Sequence, residues 1–246
     1  MGYSVTSPVP KTILGPNDCY KSTHWSNYLT VDPDKNKQAA DKWITYFQNI
    51  KKMPDRYLPL NTAQLYSQYL YKKFCKFTIT SNTVTIDNTK MPDWTYKFGQ
   101  LGNLLFKVPL AENTHVSSAK LNNNNIACYY EEMGFGHILL PRLDKKIYEF
   151  KFSISPQLMS NHLINAGTYN IKNFSVDAKK AIASVEMYGT GNLLVKLDKF
   201  KPAKVISLNK SISIKASNYD RYKKILNVKL KAHNVQGSQS DIVITA

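Results

Sequence analysis

The residues in this chain whose types and spacing could do chemistry are lysines set among tyrosines. Tyr69, Lys72, Lys73 and Lys76 form one group, with Tyr71 between them. Tyr222, Lys223, Lys224, Lys229 and Lys231 form a second, with Tyr219 just before it. A lysine ammonium neutralises a phosphate as a flexible point charge, and an aromatic ring stacks on an unpaired base. Both groups are therefore candidate nucleic-acid contacts. The same residue types would also make a solvated outer strand face.

Other chemistry has less to stand on. The chain has no GxSxG, HExxH, phosphate-loop or dinucleotide pattern. His24, His115, His137, His162 and His233 are scattered. Glu131 and Glu132 could supply a general acid, but neighbours on a strand point to opposite faces. No enzyme is expected. Cys19, Cys75 and Cys128 lie far apart, without metal-ligand spacing, and fit a reducing compartment. Asp32 and Asp34 could help hold a calcium ion; no other cofactor is expected.

The charge balance is strongly basic. The chain has 246 residues and carries a net charge of +16, from 33 basic and 17 acidic residues. Only Arg56, Arg142 and Arg221 are arginines. Such a balance points to a polyanion, nucleic acid before membrane surfaces or acidic glycans. No run reaches the ~18 apolar residues of a membrane span.

The elements that must position these lysines read mostly as strands. Cys75, Phe77 and Ile79 alternate with Lys76, Thr78 and Thr80, and after Ser81-Asn82 the alternation resumes at Val84 and Ile86. That is a hairpin with one buried face. Residues 146–155 place Tyr148, Phe150, Phe152 and Ile154 on one face and Lys151 on the other. Further strands are expected at 104–108, 169–176, 182–188, 193–197, 205–208, 212–214, 225–230 and 242–244. Residues 109–146 read as irregular, with Asn122 to Asn125 at a loop tip. One helix is expected after Asp34 as N-cap, with Ala40, Trp43, Ile44, Phe47 and Ile50 on its apolar stripe and Pro54 as its stop. A second would start at Asn61 or Thr62, with a long strand as the competing reading. The fold class is all-β: an eight-stranded jelly-roll β-sandwich with one or two short helices and long loops. Residues 21–246 read as one such domain and residues 1–20, with Pro8, Pro10 and Pro16, as an extended arm that docks on a neighbouring subunit. No internal repeat stands out.

The segments CYKSTHWSNYLTVD (19–32) and LPLNTAQLYSQYLYKKFCKFTIT (58–80) resemble densovirus capsids, in which an early strand, an aromatic helix and a long core strand succeed one another. The resemblance covers about the first third of the chain. The first 20 residues contain only Lys11 as a basic residue, unlike the arginine-rich arm of circovirus-like capsids. What the resemblance implies is a structural protein of a small single-stranded DNA virus, self-assembling into a T=1 icosahedral shell of about 60 copies. It also implies a virion location, with assembly in the host nucleus or cytoplasm, and a host receptor as a further partner. The alternative is a monomeric β-sandwich module that binds glycans or other polyanions.

Overall fold

The computed structural model describes residues 31–56, 58–59, 62–158, 162–165 and 169–246, so the expected arm and Cys19 lie outside the described residues. Helix α1 spans Pro33–Lys51. Its N-cap is Asp32 rather than Asp34: the Asp32 carboxylate accepts from the N–H groups of Asp34 and Lys35 at 3.0 and 3.4 Å. Proline has no N–H to satisfy, so Pro33 fits the first helical turn and moves the cap back to Asp32. Of the predicted stripe only Trp43 and Ile50 are buried; Ile44 and Phe47 are exposed. Helix α2, Thr62–Phe74, buries Leu70 and Tyr71 and leads through Cys75 into the first strand. A third short helix, α3, spans Asp93–Lys97.

A first sandwich follows. Strands β1 (Lys76–Thr80) and β2 (Thr83–Asp87) form the expected hairpin. They join β8 (Ile147–Ser155), β4 (His115–Leu121) and β5 (Asn124–Asn125) in the order β1–β2–β8–β4–β5. The facing sheet is β3 (Leu104–Pro109), β7 (Phe135–Leu140) and β6 (Tyr129–Glu132), in the order β3–β7–β6. The asparagine run is a tight hairpin: Asn122 and Asn123 both have positive φ, as a two-residue turn between twisted strands requires. Tyr148 and Phe150 are buried and Phe152 packs beside them, with Lys151 outside, as the alternation predicts. Ile154 and Ile79 depart from it, at 37% and 71% exposure. Ile79 lies on β1, which among the described residues has a neighbouring strand on one side only. Ile154 sits near the end of β8, opposite a register shift in β4 at Val116/Ser118.

Strand β2 pairs with β8, the first long partner with the last, and β3 pairs with β7, the next with the next to last. The chain crosses between sheets from β2 to β3, β3 to β4, β5 to β6 and β7 to β8. The chain thus wraps back and forth around one core.

Residues 163–245 build a second sandwich. Its sheets are β10 (Tyr169–Val176), β11 (Lys180–Met187), β16 (Ser238–Thr245) and β13 (Lys204–Ser207), and β14 (Ile212–Asp220), β15 (Ile225–Ala232), β12 (Thr190–Lys196) and β9 (Leu163–Asn165), each in that order. Replacing β1, β2, β3, β4, β6, β7 and β8 by β10 to β16 in turn reproduces every pairing of the first sandwich except the β4–β5 hairpin. The second sandwich adds only β9, beside β12. The class is all-β, as expected. Where sequence predicts eight strands in one sandwich, the described residues hold sixteen in four sheets around two buried clusters. One cluster centres on Phe150, Ile86 and Ile138, the other on Val228, Leu193 and Ile242.

Candidate nucleic-acid interface

Strand β15 places the second lysine group. Leu226, Val228 and Leu230 point into the core, so Asn227, Lys229 and Lys231 point out. Register extends this face across the sheet. Lys229 lies opposite Asn192 on β12 and Ala216 on β14; Lys231 lies opposite Thr190 and Ser213; Asn227 lies opposite Leu194 and Asn218. The β14–β15 turn adds Tyr222, Lys223 and Lys224, all exposed, with Tyr222 at 100%.

The turn is held from below. The Asp220 carboxylate accepts from the N–H groups of Tyr222 and Lys223 at 2.9 and 3.0 Å, and these bonds hold its pKa below the usual carboxylate value. Lys196 Nζ donates to the Lys223 carbonyl at 2.7 Å. Asp198 Oδ1 lies 3.7 Å from both Lys196 Nζ and Lys224 Nζ. The turn is thereby fastened to the end of β12. A lysine ammonium carries three N–H donors suited to a phosphate.

The first group sits elsewhere. Tyr69, Lys72 and Lys73 are on the last turns of α2 and Lys76 opens β1, all in the first sandwich. Lys73 Nζ lies 5.9 Å from the Tyr69 ring centroid and 5.2 Å from that of Phe74, while Lys72 and Lys76 are exposed. The nine predicted residues thus divide between two sandwiches. The structure unites Tyr222, Lys223, Lys224, Lys229 and Lys231, and places Tyr69, Lys72, Lys73 and Lys76 apart from them. Sequence reasoning missed Asn192, Asn218, Asn227 and Lys196. Their signal is cross-strand register, which no single segment carries.

Several other ionisable groups make contacts within the fold. Glu131 and Glu132 face opposite ways, as expected. Glu131 takes the His115 ring nitrogen Nδ1 on both oxygens at 2.9 and 3.0 Å and accepts from the Tyr129 hydroxyl. Glu132 pairs with Lys51 at 2.7 Å. Burial raises the Cys75 thiol to about 12, and its sulfur donates to Asn88 Oδ1. Asp32, one of the two candidate calcium ligands, caps helix α1. Among the described residues no group of three or more His, Cys, Asp or Glu side chains could hold a metal ion. No helix there is long and apolar enough to cross a membrane.

Charge is uneven along the chain. Residues 162–246 hold 14 basic and 5 acidic side chains, a net +9 out of +16. Comparison of the chain with protein-family models, curated proteins and solved structures finds no match.

Proposed function

We propose that this protein is a structural capsid protein that self-assembles into a small icosahedral shell and packages single-stranded nucleic acid, DNA on the resemblance of residues 19–32 and 58–80. The observation that carries this reading is the uneven placement of charge on a doubled, wrapped sandwich. A shell subunit must turn one surface to a polyanion and other surfaces to its own copies. Here the second sandwich holds more than half of the net charge, and one of its sheets turns out a face of Lys229, Lys231 and three asparagines. Large apolar side chains stand exposed elsewhere, among them Ile44 and Phe47 on α1 and Phe98 after α3, where copies could meet. Lys72, Lys73 and Lys76 form a second basic group in the first sandwich. Negative-stain images and light scattering of the purified protein are expected to show closed particles at neutral pH, with or without calcium. Monomers alone would reject assembly.

The second reading is a monomeric module that binds glycans or other polyanions. It is favoured by one observation, the exposed Tyr222 ring at the end of a face that carries the Asn192, Asn218 and Asn227 amides. Aromatic rings and amides are what a sugar surface asks for.

A further inference from the structure

The repeated strand order sets two equivalent sheets side by side for comparison: β3–β7–β6 in the first sandwich and β12–β15–β14 in the second. The outer face of the first is largely covered. Leu105, Tyr130 and Leu139 pack against the core of the second sandwich. Lys107 and Glu132 meet the C-terminal end of α1. All six residues of β7 are accordingly buried. The equivalent strand β15 is buried on one face only, and its outer residues are Asn227, Lys229 and Lys231. The covered face thus meets the second core with Leu105, Tyr130 and Leu139, whereas the equivalent face of the second sheet carries Lys229, Lys231 and three asparagines. A face meant for another apolar surface would not carry that composition.

We propose that the outer face of the β12–β15–β14 sheet, together with the turn at residues 221–224, is the track on which this protein holds single-stranded nucleic acid. This rests on the nucleic-acid part of the reading above and not on assembly. Lys229 and Lys231 stand roughly 7 Å apart along one strand and follow an extended backbone. The Asn192, Asn218 and Asn227 amides offer donors and acceptors to sugars and base edges. Tyr222 offers a free ring for stacking, flanked by Arg221, Lys223 and Lys224. The carboxylates nearest the track are engaged: Asp220 holds the turn and Asp198 lies between two lysines. A register shift in β14 between Ile214 and Ala216 leaves Lys215 exposed at the free edge of the sheet. The outer face of the opposite sheet differs, because Glu186 and Asp241 stand among its basic residues.

The test is fluorescence anisotropy of the full chain with labelled oligothymidylate over a range of KCl. Lys229→Ala/Lys231→Ala should weaken binding by at least about tenfold and flatten the log–log salt slope by roughly 1.4. Tyr222→Ala should weaken it on the order of tenfold and leave the slope unchanged. Lys180→Ala/Lys204→Ala, which removes the same charge from either side of Thr245 on the opposite sheet, should stay within about twofold. All five side chains are exposed, and far-ultraviolet circular dichroism verifies that each variant folds. An unchanged slope in the first variant, an equal loss in the control pair, or no binding by the full chain overturns the proposal. Heparin binding as tight as oligothymidylate binding and indifferent to Tyr222→Ala would assign the face to a sulfated glycan instead. Light scattering on the same samples separates the two readings: oligonucleotide-binding monomers leave the track intact and sink only the shell.

Discussion

His137 and Lys107 meet across the β3–β7 pair, and together they show how a buried strand accommodates charge. Lys107 Nζ donates to the carbonyls of Lys51, Met53 and Arg56 at 2.7, 2.5 and 2.9 Å, and lies 4.0 Å from the Phe135 ring centroid. It thereby supplies donors to the carbonyls at and beyond the end of α1 and pins that helix to the sheet. Burial lowers its pKa, with Glu132 and Asp55 pulling it back. His137 stacks on Tyr130 at 4.5 Å and is pushed down to about 4, by burial first and then by Lys107 and Lys51. The unfolded chain takes up this proton near the ordinary value of about 6.5, the native protein only near 4. Between those values the unfolded state binds more protons, so stability falls as pH falls. Urea titrations at about pH 7 and pH 5 should therefore show a loss on the order of 2 kcal/mol that His137→Gln abolishes. The same loss in the variant would assign the pH dependence to other groups.

At the scale of elements, the two sandwiches solve one edge problem in two ways. Strand β12 is bordered by β9. Among the described residues its counterpart β3 has no strand on that side, and a helix side chain takes the place: Gln68 on α2 donates to the Asn103 carbonyl at 2.7 Å and accepts from the Leu105 N–H at 3.1 Å. One amide thus imitates a strand residue and blocks an edge that would otherwise recruit another chain. Gln68→Ala should cost roughly 1–3 kcal/mol and speed amide exchange at Leu105. Unaltered exchange there would mean that the edge is protected by something else. Elements of this kind were unevenly legible. Strands with one wet face, such as β8 and β15, show their alternation in sequence and fall within a few residues of expectation. Strand β7 does not alternate, because FGHILL is buried on both faces. Strand β4 loses its period at the register shift, so Val116, Ala119 and Leu121 are spaced by three and then two. Those two features account for much of the stretch read as irregular. Lys229 and Lys231 were legible as an outer face, whereas Asn192 and Asn218 join them only through pairing. The repeat leaves no mark in sequence that we can read, because it resides in which strands pair.

At the scale of the whole molecule, the strands of the described residues form two sandwiches with one shared layer. Sheet β3–β7–β6 gives Leu104, Ile138 and Leu140 to the first core and Leu105 and Leu139 to the second. Further contacts cross the same junction. The Tyr129 and His162 rings lie 5.5 Å apart, and Asn103 Nδ2 donates to the Lys172 carbonyl at 2.6 Å. Melting the first sandwich would therefore strip apolar cover from the second, and each half should stabilise the other. Full-length protein is expected to unfold in one calorimetric transition despite its two cores. Leu139 is the place to break the coupling: it is buried, belongs to a strand of the first sandwich and packs in the core of the second. Leu139→Ala should cost about 2–5 kcal/mol. It should also split the melt, because the cavity opens at the junction and leaves each core otherwise intact. Two transitions already present in the unmodified chain would show that the halves melt independently. A single sharp transition in Leu139→Ala would place the coupling outside the apolar layer, in the polar contacts of Asn103 and Tyr129.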